Sequence, residues 1–159
     1  MSVDPDKPGE RYWRRLEPFW TSVSIYRGAA VFKQQFYRLP ATIGVLFAAR
    51  WLHSEVCNGG FHQFFSNPTG VLAPEAHAAF RALQLTEAIP IIEQAMNFFG
   101  SPYPREQEHR CAVLDAIPGE QRSAWNPFRA LDPQYYAAVP SVTHRFASAA
   151  DAYVESNLA

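Results

Sequence analysis

His53 and Cys57 stand four residues apart, with Glu55 between them and His62 five residues further on. On a helix a spacing of four places two side chains on one face, and imidazole with thiolate is a zinc-binding combination. Glu55 falls off that face, and neither the HExxH nor the paired CxxC spacing occurs. The pair therefore reads as packed helix residues, with no metal site expected. Cys57 beside His62 suggests a second chemistry, a thiol nucleophile served by a histidine base. A place near a helix C-terminus works against it, because the negative end of the helix dipole disfavours a thiolate. Glu55 has the type needed for a general base, but a capping bond or an arginine partner is the expected use of such a carboxylate. Ser54, Ser66 and Ser101 lack a nucleophile elbow, and no GxGxxG or GxxxxGK loop is present to cradle phosphate. No catalytic set and no cofactor are expected.

The polar residues that remain are amides. Asn58, Gln63 and Asn67 offer donors and acceptors that either lock a loop or face a ligand, and locking is the expected use because buried amides usually satisfy nearby backbone. Gly59 and Gly60 permit backbone shapes closed to other residues. Phe61, Phe64 and Phe65 have the spacing of one helical turn, which suits core anchoring better than base stacking.

These residues must be positioned by helices, since no run of strict alternation appears. The spacing predicts a helix over 10–17 ending before Pro18, then helices over 29–39 and 41–58 separated by Pro40. The second is apolar on more than one face, through Ile43, Val45, Leu46, Phe47, Trp51, Leu52 and Val56, as a central buried helix would be. Asn58-Gly59-Gly60 is expected to stop it with glycine in the left-handed conformation, and a short helical turn over 61–66 to follow. A turn at 67–70 leads to a helix from Pro74 to 83 and another from about Thr86 to 99, ended by Gly100. A helix over 104–117 pairs Glu106 with Arg110 on its surface and turns Cys111 and Leu114 inward. Asp132-Pro133 reads as a cap and start for a short helix at Tyr135-Tyr136, and residues 143–158 close the chain as a helix. Residues 1–9 carry prolines, glycine and charges without periodicity and read as a flexible tail ahead of one domain over 10–159. The fold class is all-α, in a single compact multi-helix domain without internal repeats.

The stretch 51–70, WLHSEVCNGGFHQFFSNPTG, with LAPEAHAAFRAL and AxxFFG downstream, resembles the DNA mimic protein 19-like family. The resemblance spans about residues 10–158 and is densest over 51–100. The family motif, EVNNGGFxQFFxNxxG, falls on Glu55, Val56, Asn58, Gly59, Gly60, Phe61, Gln63, Phe64, Phe65, Asn67 and Gly70. Cys57 stands where the motif has Asn, which argues against a thiol chemistry common to the family. The resemblance implies an all-helical fold, frequently dimeric, in a family whose best-known member is an acidic protein that imitates duplex DNA and occupies a transcription factor, so a regulator that binds a DNA-binding protein as a DNA mimic is one expectation.

Composition sets bounds on that implication. The 159 residues include 48% hydrophobic and 18% charged side chains, a globular balance, and the net charge is only -1. Residues 1–60 hold eight Lys or Arg against five Asp or Glu, whereas 83–120 hold Glu87, Glu93, Glu106, Glu108, Asp115 and Glu120 against two arginines. Those six carboxylates are the candidate acidic partner surface, with a solvated helix face as the plainer alternative. Arg14-Arg15 is the only basic doublet and no basic recognition helix follows, so direct nucleic-acid binding is not expected. Two cysteines far apart fit a reducing compartment, and no apolar run suits a leader or a membrane span, so a cytoplasmic protein is expected. The resulting expectation is a non-enzymatic protein-interaction module with an unidentified protein partner and a homodimeric form. The alternative is a small-molecule-binding or hydrolytic protein that uses the 58–67 loop, with His62 and Gln63 facing a pocket.

Overall fold

A computed structural model describes residues 4, 6–116 and 126–157, in which the secondary structure is helical throughout. Eight α-helices appear among the described residues: α1 (Glu10–Leu16), α2 (Ala29–Phe36), α3 (Ala41–Ser66), α4 (Ala73–Ala82), α5 (Ile89–Asn97), α6 (Gln107–Asp115), α7 (Leu131–Ala138) and α8 (Arg145–Ser156). Two 3-10 turns, Glu17–Phe19 and Pro68–Leu72, each have a proline in the first turn, where no amide donor is needed. The all-α class read from the sequence is the class observed. None of these helices is long and apolar enough to cross a membrane.

The apolar side chains around α3 make it the axis of the molecule. Leu46, Phe47, Ala48, Ala49, Leu52 and Val56 are all fully buried, and α1, α4, α6, α7, α8 and the second 3-10 turn pack around them. Beyond the kink in α3, Phe61, Phe64 and Phe65 are fully buried too. They join an aromatic cluster in which Phe65 lies 5.1 Å from Phe128 and 4.9 Å from Phe99, and Phe61 lies 5.6 Å from Tyr135. Edge and tilted ring contacts of this kind add to the large area each ring removes from water.

Helix ends are held in an unusual way. None of the eight helices is capped by the side chain of its own N-cap residue. The orphan donors of a first turn must still be satisfied, and distant carboxylates do so. Asp151 on α8 accepts the N–H groups of Gly9 and Tyr12 at 2.7 and 2.9 Å, closing α1. Glu106 accepts the N–H of Ala29 at 2.9 Å and closes α2. Asp132 of α7 accepts the N–H of Phe61 at 2.9 Å, within α3 itself. These bonds tie termini to packing partners, so each of these helix starts depends on tertiary packing.

Several local expectations change accordingly. Residues 41–66 form one helix with an internal break, because Gly59 (φ -152, ψ 20) and Gly60 (φ 74, ψ -177) leave helical geometry and Phe61 resumes it. Gly60 has positive φ but a fully extended ψ, so it is not the left-handed stop expected. Helix α6 begins at Gln107, with Glu106 as an extended N-cap, and Ile117 lies outside the described residues. Arg110 does not pair with Glu106 on the surface: it is fully buried and bonded to carbonyls, while Glu106 is committed to Ala29. Asp132 lies in the first turn of α7 and caps α3 instead of its own helix.

Candidate functional site

The break at Gly59-Gly60 leaves a carbonyl without a helical partner on one side and an N–H on the other. Helix α7 answers both, because Asp132 and Tyr136 are four residues apart and share a face. Asp132 takes the Phe61 N–H, and the Tyr136 hydroxyl donates to the Val56 carbonyl at 2.8 Å. Burial pushes the Asp132 carboxyl above its ordinary value, opposed by the Phe61 N–H bond and the nearby His62. Glycine is needed at 60 because a Cβ there would run into the Asp132 carboxylate.

The bend brings the motif's polar side chains together. Gln63 donates through Nε2 to Glu55 Oε2 at 2.6 Å, Asn67 donates through Nδ2 to the same oxygen at 3.2 Å, and Asn58 donates through Nδ2 to Gln63 Oε1 at 3.4 Å. Along a straight helix Glu55 and Asn67 would be roughly 18 Å apart at about 1.5 Å per residue, so this carboxylate is a hub that exists only in the bent form. Its partners are side-chain amides, neither the capping bond nor the arginine expected for it. Gln63 also folds over Gly59, where a Cβ would meet its Cδ at 2.7 Å.

Beyond Asn67 the C-terminus of α3 is closed by α6. Arg110, fully buried, donates from Nε to the Phe65 carbonyl at 2.8 Å and from Nη2 to the Asn67 carbonyl at 2.9 Å. Its Nη1 donates to the carbonyls of Pro104, at 3.3 Å, and Arg105. Gln107 Nε2 donates to the Ser66 carbonyl at 2.9 Å. A cation at a helix C-terminus satisfies orphan carbonyls and meets the negative end of the dipole. The motif's last glycine, Gly70, lies flat under this guanidinium: a Cβ there would stand 2.5 Å from Arg110 Nε. The Tyr103 hydroxyl donates to the Gly70 carbonyl at 2.6 Å. Asp132, Tyr136, Tyr103 and Arg110 thus belong to the site, and no local pattern marks them.

Ser54, Glu55, Cys57, Asn58 and Gln63 line an open depression beside the break. His62 is exposed and is not part of that lining. Cys57 Sγ lies 3.7 Å from Nδ1 and 3.6 Å from Nε2 of His53. A sulfur equidistant from both nitrogens lies on neither lone-pair axis, so the contact is packing and not a line for proton transfer. Nδ1 already meets the Tyr135 hydroxyl at 2.8 Å, and the ring stacks on Phe146 at 4.3 Å. Burial pushes the Cys57 thiol up, with a Ser141 hydrogen bond opposing it. Among the described residues no group of three or more His, Cys, Asp or Glu is placed to hold a metal ion.

Burial, with the nearby Arg50 charge, lowers the His53 pKa to about 4. Below the ordinary histidine value the unfolded chain binds a proton that folded His53 refuses, so stability falls as pH drops from 6.5 toward 4. Urea unfolding should show the wild type losing about 2 kcal/mol more than His53→Gln between neutral pH and a pH of about 5. Equal losses in the two proteins would show that His53 titrates normally.

Five of the six acidic residues lie at or on two different helices. Glu87 and Glu93 are exposed at and on α5, which packs on α4 and α7, while Glu106, Glu108 and Asp115 are exposed at and on α6, which packs on α3 and the second 3-10 turn. Glu93 also approaches His77 at 4.0 Å. Glu120 lies outside the described residues.

The bent helix with its amide hub, packed by α1, α4, α6, α7 and α8, defines a small all-α protein built around one motif. A family model described as DMP19-like protein matches residues 37–157. The chain belongs to that family. No curated protein and no solved structure matches it.

Proposed function

We propose that the protein is a non-enzymatic interaction module that occupies a DNA-binding protein by presenting carboxylates in place of phosphates. The observation that supports this reading most is membership of the DMP19-like family over residues 37–157. The exposed carboxylates of Glu87 and Glu108 supply groups able to meet a basic surface. With a net charge of only -1, the mimicry is confined to local faces and is not a property of the whole molecule. Two free cysteines, Cys57 and Cys111, accord with a cytoplasmic site of action. The homodimer implied by the family resemblance is part of the same proposal.

Tagged protein exposed to nuclease-treated host lysate and eluted with rising salt should release a stoichiometric DNA-binding protein. Its binding should fall about tenfold at low salt in Glu87→Lys/Glu108→Lys, and the difference should shrink as salt screens the contacts. Glu106 is a poor test position because its carboxylate holds the start of α2. Recovery of the tagged chain alone, or wild-type binding by the double variant, would remove the mimicry reading.

A further inference from the structure

We infer that the open depression beside the α3 break is a binding site for a guanidinium group. The argument rests on the direction of its hydrogen bonds. A carboxylate only accepts, so Glu55 fixes the orientation of every amide linked to it. Gln63 must present its NH2 to Glu55, at 2.6 Å, which leaves Gln63 Oε1 to accept. Asn58 must then donate to that oxygen, at 3.4 Å, which leaves Asn58 Oδ1 as an acceptor without a protein donor among the described residues. Asn67 donates to Glu55 Oε2, the same oxygen that Gln63 uses. Glu55 Oε1 accepts no hydrogen bond from the described residues, and Glu55 forms no ion pair with them.

The half-buried carboxylate and the Asn58 carbonyl therefore line the depression with unused acceptors and one uncompensated charge. The complementary ligand carries donors only and a positive charge. A guanidinium fits better than an ammonium, because its planar fork spreads five donors over separated acceptors and it is more weakly hydrated, so entry into a half-buried site costs less. The site is distinct from the α5 and α6 carboxylates and stands whether or not those bind a DNA-binding protein. It gives the motif's Glu55, Asn58 and Gln63 a binding role in addition to holding the bend.

The test is a titration of 15N-labelled protein, followed by NMR, with methylguanidine, with a Gly-Arg-Gly peptide and with its neutral citrulline counterpart. Saturable shifts are expected at the side-chain amides of Asn58, Gln63 and Asn67, with the citrulline peptide at least about tenfold weaker than Gly-Arg-Gly. Glu55→Gln should weaken binding by about tenfold or more, and so should Asn58→Lys, which puts a cation of its own on the rim and leaves both bonds to Glu55 in place. The second variant keeps the test decisive if the first unfolds. Equal affinity for methylguanidine and the arginine peptide would assign the site to small guanidino compounds, whereas a peptide about tenfold tighter would assign it to an arginine of a protein partner. Absence of saturable shifts at these amides, wild-type affinity in either folded variant, or equal binding of the citrulline peptide overturns the inference.

Discussion

Arg110→Met is expected to cost about 3–5 kcal/mol, nearly the whole stability of a marginal domain. Arg110 is fully buried and bonded to four backbone carbonyls. Two of these, Phe65 and Asn67, end α3, and two lead into α6, so one buried side chain joins two segments that Gln107 also ties together from the exposed side. Methionine fills much of the volume but leaves buried acceptors without donors, each costing about 1–3 kcal/mol. Burial lowers the arginine's hold on its proton, and the neighbouring Tyr103 opposes the shift, so desolvation of the charge offsets part of the gain from the bonds. Arg110→Lys separates charge from geometry. An ammonium keeps the cation but brings all its donors to one point, and it should recover less than half of the loss. Urea unfolding measures both variants, and a loss below about 1 kcal/mol for Arg110→Met would show that water replaces the guanidinium at these carbonyls.

Arg110 also shows what could and could not be read from the chain. Helix existence was legible wherever apolar spacing and proline placement agreed, as in α1, the first part of α3, α4 and α8. Those signals depend on residues within a turn or two of one another. The bonds that set helix ends do not: Asp151 caps α1 from 139 residues away from Tyr12, Glu106 caps α2 from 77 residues away from Ala29, and Asp132 caps the second part of α3 from 71 residues away from Phe61. Glu106 and Arg110, four apart on a helix, carry the local signature of a surface pair, yet each is committed to backbone on another element. The motif itself could be recognised, and the coupling of its amides to Glu55 could not, because Glu55 and Asn67 meet only once α3 is bent. The left-handed stop assigned to Gly59-Gly60 failed for the same reason. Local sequence specifies glycine, but packing against α7 selects the conformation that glycine adopts.

That selection can be measured. Gly60→Ala is expected to destabilise the protein by about 3–5 kcal/mol, from strain at a backbone conformation that only glycine adopts readily and from collision with Asp132. At φ 74 and ψ -177 the strain alone is about 1–3 kcal/mol. The added Cβ would also stand 2.8 Å from Asp132 Cγ, forcing the carboxylate away from the Phe61 N–H and removing a cap worth about 1 kcal/mol. Two other glycines divide these causes. Gly100 has a similar φ of 80, and a Cβ added there would meet nothing within 4 Å among the described residues, so Gly100→Ala should show only the cost of positive φ, about 1–2 kcal/mol. Gly59 has an ordinary φ of -152 but is covered by Gln63, so Gly59→Ala should act by breaking the Gln63 bond to Glu55, and Gln63→Ala should absorb only part of its effect, because the added Cβ also stands 2.9 Å from the Gln63 Cβ that alanine keeps. In the cycle of Gly60→Ala with Asp132→Ala, removing the carboxylate relieves the collision and leaves the strain, so the two losses should fall short of additivity by about 1–2 kcal/mol. Strict additivity would mean that α3 bends by its own glycines and that α7 merely rests against the bend. A shortfall of the expected size means that α7 holds the bend, and with it the carboxylate-amide hub that depends on it.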